Sequence, residues 1–192
     1  GLIIFGGIGY GVLFQIYIYL RDRLQRKSER VVFSLDLKVA ISTSLILLIA
    51  GTVAFFLIES RNPNTFGNLS WQNKILAAWF QSVTPRTAGF NTIDIGKMTN
   101  AGLFLTIAFM FIGASPGGTG GGIKTTTLRV LTSCTKAILQ GKEDVLLYER
   151  QIPLNLILKA VGVLVGSIAT VILATILISL TDPNIDFIQI LF

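Results

Sequence analysis

The chain contains no histidine and a single cysteine, Cys134, among 192 residues. Without histidine it lacks the commonest general base and metal ligand near neutral pH. One thiol makes neither a disulfide framework nor a thiolate metal site. Charge is scarce too: 14% of residues are Asp, Glu, Lys or Arg, against about 25% in ordinary soluble domains. Those charges cluster instead of punctuating helix faces, which counts against a water-exposed globular domain. The net charge of +6 suits nucleic acid in a soluble protein. In a membrane protein it reflects basic residues gathered in cytoplasmic loops.

What is present is hydrophobic length. Residues 37–58 and 153–180 are apolar runs with at most one charge each, near the start. About 20 such residues cross a bilayer as a helix. The chain is therefore read as an all-α integral membrane protein. It opens inside one apolar run (GLIIFGGIGYGVLFQIYIYL) and stops inside another (FIQILF), with no initiator Met and no visible signal peptide. We read it as part of a longer protein.

The loop of residues 21–30, RDRLQRKSER, carries five basic and two acidic residues, whereas residues 59–73 carry one of each. The positive-inside rule puts the first in the cytoplasm and the second outside. Residues 136–150 hold three of each sign, with Lys124 and Arg129 just before them, and by alternation they are cytoplasmic. Residues 2–20 then descend as the end of a helix, 37–58 climb outward, and 153–180 climb outward again to an outside loop at 181–186. Residues 70–84, 100–112 and 123–139 read as short helices. A helix from 70 and a helix from 100 that both start outside require residues 70–99 to dip in and return. Such re-entrant backbone survives at membrane depth only when buried in protein or lining a water-filled path. An outside surface loop is the rival reading. The order span, outside loop, short helix at 37–84 begins again at 153–192, and repeated units around a shared site are common in transporters.

Within the re-entrant stretch lies SVTPRTAGFNT, residues 82–92. Pro85 ends the helix and pushes Thr84 out of helical geometry. Thr87, Ala88, Gly89, Phe90 and Asn91 follow. A filter that strips water from a cation needs inward-facing carbonyls, and these require dihedrals that alternate with the left-handed region. Gly89 enters that region freely, and Asn91 tolerates it better than most residues. Phe90 suits an outward apolar wall, and the carbonyl end of the preceding helix favours a cation. A plain turn explains the same five residues. Arg86 fits either an acidic partner behind the loop or a snorkelling position.

The second motif is GASPGGTGGGIKTTT, residues 113–127. It fails the phosphate-loop pattern, because Ile123 separates Gly122 from Lys124 and an apolar half-helix precedes it. A flexible linker is a further reading, but the run 100–112 is too short to cross alone, which puts the glycines at membrane depth. Pro116 breaks the helix. Gly117, Gly118, Gly120, Gly121 and Gly122 give flexibility, and Ser115 and Thr119 offer hydroxyls to a narrow path. The spacings Gly7-x-x-x-Gly11 and Gly162-x-x-x-Gly166 read as helix-packing devices. Thr125, Thr126 and Thr127 read as helix hydroxyls bonded to the preceding turn.

SVTPRTAGFNT followed by FIGASPGGTGGGIKTTT resembles the Trk/Ktr/HKT superfamily of potassium transporters, nearest the membrane subunit of its Ktr branch, over nearly the whole chain. The resemblance implies four linked helix/pore-loop/helix units with potassium-channel-like architecture, of which this chain covers about two. Residues 1–30 would be the end of the second unit's inner helix and a basic cytoplasmic loop, 31–150 the third unit, and 151–192 the start of the fourth. It implies that Thr87, Ala88, Gly89 and Phe90 bind K+ through backbone carbonyls, with Asn91 completing this quarter of the filter. TAGFN departs from the channel sequence TVGYG as the family's filters do. Gly113, Ala114, Ser115, Pro116, Gly117, Gly118, Thr119, Gly120, Gly121, Gly122 and Lys124 would form the intramembrane gating loop. The resemblance further implies no cofactor in this chain, K+ as the transported ion, Na+ as an activating ion, and no enzymatic activity. It also implies a plasma-membrane homodimer of the full-length subunit on a cytoplasmic nucleotide-binding regulatory ring (KtrA-type). Two other classes compete: a secondary cation transporter alternating access around broken helices, and a membrane-bound nucleotide-using enzyme. One filter quarter cannot encircle an ion, so liposomes containing only this chain should show no potassium flux above empty liposomes. Measurable flux would overturn the quarter-filter reading.

Overall fold

The computed structural model describes residues 1–25, 34–142, 144–182 and 185–192. The chain is mostly helical, as expected, with one small hairpin added. Part of the basic loop 21–30, residue 143 of the segment 136–150 and part of the loop 181–186 lie outside the described residues.

The expected helix over 2–20 is instead two helices, α1 (Leu2–Ile8) and α2 (Tyr10–Leu24), whose axes differ by 100°. The break is Gly9, with φ 95° and ψ 143°. That backbone is open only to glycine at low cost. Helix α3 (Leu35–Glu59) starts at Ser34, whose hydroxyl accepts from the Leu37 amide at 3.2 Å, with Asp36 in the first turn. Both features stabilise a helix N-terminus. Its 25 residues rise roughly 37 Å, enough to cross a bilayer.

After α3 come α4 (Trp71–Val83), a 3-10 turn at Ile95–Lys97, α5 (Asn100–Phe111) and α6 (Thr125–Leu139). Strands β1 (Leu146–Leu147) and β2 (Arg150–Gln151) pair antiparallel. Helices α7 (Leu154–Thr181) and α8 (Phe187–Leu191) close the chain, repeating the order of α3 and α4. Helix α7 is also long and apolar enough to span. Gly162 and Gly166 on it face open space on this chain.

Two contacts fix the depth of α4 relative to α3. At its start, Lys74 Nζ donates to the Ser60 carbonyl at 2.9 Å. At its end, Ser82 Oγ lies 3.2 Å from Thr52 Oγ1, roughly 10 Å inward from Glu59 along α3. The chain then returns, because Asn62 Nδ2 donates to the Lys97 carbonyl at 2.9 Å. Residues 70–99 thus enter and leave at the same end of α3.

That end is held by Glu59, a fully buried carboxylate. Its Oε1 accepts from the Thr99 amide (2.9 Å) and the Thr99 hydroxyl (2.6 Å). Its Oε2 accepts from Asn62 Nδ2 (2.8 Å) and the Thr65 hydroxyl (2.6 Å). Thr99 also caps α5 by accepting from the Gly102 amide at 3.0 Å. Phe55, Phe66, Ala78 and Met98 pack beneath this network.

At the other end of α3, Val39 packs with Ala137, Val145, Leu147 and Ile152. Tyr148 Oη donates to Ser42 Oγ at 2.7 Å. The hairpin there was not expected from sequence. Its two-residue turn puts Tyr148 at φ 50° and Glu149 at φ 65°, the dihedrals of a type I′ turn, without the Asn-Gly or Asp-Gly signal that marks one.

Glu59→Ala would leave four donors without their acceptor, and buried unsatisfied groups cost about 1–3 kcal/mol each. Partial relaxation should bring the loss to about 3 kcal/mol, read as a lower unfolding midpoint of the full-length protein in detergent. Glu59→Gln, which keeps one acceptor oxygen, should lose less. An unchanged midpoint for Glu59→Ala would show that this network does not hold the outer end together.

Candidate functional site

Helix α4 ends at Val83, but Thr84 keeps helical dihedrals (φ −64°, ψ −35°). The expectation that Pro85 pushes Thr84 out of the helix is therefore wrong. The helical path persists as a turn, with the Ala88 amide donating to the Thr84 carbonyl at 3.1 Å. The break comes at Thr87, at φ 63°. Gly89 is also left-handed, at φ 70°, while Ala88 between them is not. Left-handed backbone was expected at Gly89 and Asn91. Threonine takes the place of asparagine, although a side-chain-bearing residue there costs about 1–2 kcal/mol. Two hydroxyls brace the loop. Thr87 Oγ1 donates to the Arg86 carbonyl at 2.7 Å, and Thr84 Oγ1 donates to the Phe90 carbonyl at 2.5 Å.

Among the described residues, the carbonyls of Thr87, Ala88 and Gly89 accept no hydrogen bond. Alternating handedness is the backbone pattern that carbonyls facing a common side require. The Phe90 ring is 65% exposed on this chain, directed away from its core. Asn91 is exposed as well. Arg86 lies behind the loop, against Ile3, Ile4, Ser44, Leu48 and Val83. Its Nε and Nη2 are buried without a partner. Among the described residues it meets no acid, and burial of these atoms argues against snorkelling.

The glycine loop occupies residues 112–124 between α5 and α6. Its neck is closed by two bonds of 2.9 Å, from the Gly113 amide to the Ile123 carbonyl and from the Ile123 amide to the Phe111 carbonyl. Only glycine fits the neck. A Cβ on Gly113 would overlap the Gly121 carbonyl oxygen. Gly122 sits at φ 74° with three backbone atoms within 3.0 Å of a would-be Cβ.

From the neck the loop reaches the break between α1 and α2. The Ser115 amide donates to the Gly7 carbonyl (2.9 Å), the Thr119 amide to the Gly6 carbonyl (3.2 Å), and the Tyr10 amide to the Gly117 carbonyl (3.2 Å). A Cβ on Gly9 would collide with the Pro116 carbonyl oxygen. Gly6, Gly7, Gly9 and Tyr10 were missed as part of this site. Their signal was GGIGYG, in which the Gly7-to-Gly11 spacing suggested helix packing. The helix breaks between the two, so they do not share one helical face.

Four hydroxyl and amine groups also find their places. Ser115 was expected to face the path, but its hydroxyl is buried against Thr125 Oγ1 at 2.8 Å. Thr125 accordingly bonds across the loop rather than to the preceding turn. Thr119 is exposed. Lys124 Nζ donates to the Gly120 carbonyl at 2.7 Å, tying the two sides of the loop. The loop also reaches the first motif: a methyl on Gly120 would lie 3.1 Å from Thr87 Oγ1, and one on Gly121 would lie 3.7 Å from Thr87 Cγ2. Thr87 and the glycine loop are therefore neighbours.

The TrkH family model, described as a cation transport protein, matches residues 1–192. The chain is 37% identical over 191 residues to the Ktr system potassium uptake protein B of Bacillus subtilis, covering 100% of this chain and 41% of that protein. It is 36% identical to the protein of the same name from Vibrio alginolyticus, over 95% of this chain and 39% of the relative. It is also 36% identical to the potassium/sodium uptake protein NtpJ of Enterococcus hirae, over 94% of this chain and 38% of the relative. The chain thus spans about two fifths of the length of these curated relatives. With its long apolar helices it is a multi-pass protein of the cell membrane.

The neck and the filter-like loop make different demands on their glycines. Gly89 has nothing within 4 Å of a would-be Cβ, so Gly89→Ala should cost only its positive φ, about 1–2 kcal/mol. Gly122→Ala adds overlap with three backbone atoms and should lower the unfolding midpoint of the full-length protein clearly further. Equal midpoints would contradict the neck geometry.

Proposed function

This chain belongs to the TrkH family of cation transport proteins, and we propose that it supplies one filter loop and the gate of a potassium uptake protein of the Ktr type. The observation that carries the proposal is the run of carbonyls at Thr87, Ala88 and Gly89 without hydrogen-bond partners among the described residues. Unsatisfied backbone groups at membrane depth are costly unless a water-filled path or an ion satisfies them. Carbonyl rings that replace a hydration shell are how filters select K+. Helix α4 ends at this loop, and its carbonyl pole adds negative potential for a cation. In this conformation the Phe90 carbonyl is engaged by Thr84, so the ion-facing set is Thr87, Ala88 and Gly89, with Phe90 and Asn91 shaping the loop.

The glycine loop lies against Thr87 on one side and against the broken helix on the other, which supports its reading as the gate. Opening the path requires moving residues 113–122 away from Thr87. Lys124 steadies the loop through the Gly120 carbonyl. The whole protein then comprises four units around one pore: residues 1–30 end the second, 31–150 form the third, and 151–192 begin the fourth. Transport of this kind needs no covalent chemistry, so the protein acts as a transporter and not as an enzyme. The family resemblance adds Na+ as an activating ion, a homodimer of full-length subunits, and a KtrA-type nucleotide-binding ring on the cytoplasmic side. The match to a protein named for potassium and sodium uptake supports a filter that discriminates less strictly than a potassium channel.

The test is potassium and rubidium flux into liposomes holding the full-length protein. Gly89→Ser should lose preference for potassium over sodium. Deletion of residues 118–121 should raise flux with the preference intact. Gly9→Ala, which displaces the Pro116 carbonyl, should raise flux by roughly tenfold, the worth of one or two backbone hydrogen bonds. No potassium flux in the wild type, or flux unchanged by all three variants, would favour alternating access around broken helices instead.

A further inference from the structure

The cytoplasmic end of α6 carries a feature that ion conduction does not use. Arg129, Ser133 and Lys136 recur at helical spacing on one face of α6, and Lys142 joins them from the turn beyond it to line an open pocket. Residues at such spacing lie one above the other along a helix face. Asp144 is, among the described residues, the acid lining this pocket, and its carboxylate is already engaged by Gln151 Nε2 at 2.6 Å. Among the described residues, Arg129, Lys136 and Lys142 form no ion pair. Arg129 Nε is enclosed and, among the described residues, meets no acceptor. A guanidinium donor withdrawn from water in this way calls for an anionic acceptor.

The surroundings specify the kind of anion. Leu146 and Tyr148, which line the pocket, are 56% and 42% exposed. A basic pocket rimmed by exposed apolar side chains fits an amphiphile, with its anionic head among the cations and its chains on the rim. Its depth agrees. The 15 residues of α6 place its far end about 22 Å from the glycine loop, on the side to which the basic loops assign the cytoplasm.

We propose that Arg129, Ser133, Lys136 and Lys142 form a binding site for a phosphate group, supplied by an anionic lipid of the cytoplasmic leaflet. Basic pockets between membrane helices on this side commonly hold such headgroups. The site binds through charge-assisted hydrogen bonds from Arg129 and the two lysines, with Ser133 as a neutral donor. This inference does not depend on which ion the pore carries.

The test uses the full-length protein purified in detergent and titrated with phosphatidylglycerol, phosphatidylcholine or inorganic phosphate, with retention read by native mass spectrometry. Phosphatidylglycerol should be retained and phosphatidylcholine should not. The triple variant Arg129→Gln, Lys136→Gln, Lys142→Gln should weaken retention on the order of a hundredfold, since each basic residue near such a surface is worth about fivefold. The control Arg21→Gln, Arg23→Gln, in the other basic region, should leave it nearly unchanged. Inorganic phosphate binding as tightly as the lipid would keep the phosphate site but make a soluble phosphate its source. Equal retention by the wild type and the triple variant, or retention of neither phosphate probe, would overturn the proposal. Should the triple variant fail to fold, Lys142→Gln alone, in an exposed turn, must still weaken retention severalfold.

Discussion

Backbone amides and carbonyls placed at membrane depth must find partners, and the rest of this structure follows from that constraint. A helix satisfies itself, but α1–α2 and α5–α6 are both interrupted. Each interruption frees backbone groups that the helix no longer satisfies. The two solve the problem jointly: carbonyls of Gly6 and Gly7 accept from the loop, and the Tyr10 amide donates to it. Side chains would hold the two backbones apart. Glycine at position 9, where a Cβ would strike the Pro116 carbonyl, is what permits contact. The glycines of the loop thus act less as a source of looseness than as a means of close approach. Composition alone suggested the opposite.

The same constraint acts at the outer end of α3. A re-entrant segment needs both of its ends held at one level, or the loop at its tip has no fixed depth. Glu59 does this with neutral donors alone, joining the outer turn at Asn62 and Thr65 to the cap of α5 at Thr99. A buried carboxylate is costly unless its lone pairs are filled, and four donors fill them here. The close fit of Gly102, where a Cβ would overlap Glu59 Oε1, shows how tightly α5 is drawn against α3. The depth of α4, set against α3 by Lys74 and Ser82, is carried to Thr84 and so to Thr87.

Much of this was legible in the sequence because hydrophobic length and the charge of loops are one-dimensional signals. The spans at α3 and α7, the short helices α4, α5 and α6, and the position of the glycine loop all follow from run lengths. What was not legible depends on partners far along the chain. GGIGYG reads as an apolar helix with small residues until the loop over a hundred residues later meets it. Left-handed backbone at Thr87 has no local signal, because a β-branched residue disfavours it. Only the bracing by Thr84 and the contact with Gly120 supply a tertiary reason. Ser115 and Thr125 looked like path-facing and helix-facing hydroxyls, and their mutual hydrogen bond needs the folded loop to exist. The hairpin at 146–151 was invisible because its turn, Tyr148-Glu149, uses residues that rarely take positive φ.

Magnitudes connect the two halves of the site. Three backbone hydrogen bonds join the loop to the α1–α2 break, each worth about 1 kcal/mol net. Together they favour the docked loop by roughly 3 kcal/mol, on the order of a hundredfold in population. A bias of that size keeps the loop docked for most of the time, and any partner that binds the undocked form better by a few kilocalories reverses it. The break in α1–α2 is then as much a part of the proposed gate as the glycine loop, because it holds the acceptors that the loop must leave. Whatever turns α2 relative to α1 changes those acceptors directly. Helix α2 also reaches the cytoplasmic start of α3, where Gln15 Oε1 accepts from the Ser34 hydroxyl at 2.7 Å. A force applied at that surface therefore has a short, rigid route to the loop, one helix long, and needs no relay through the filter.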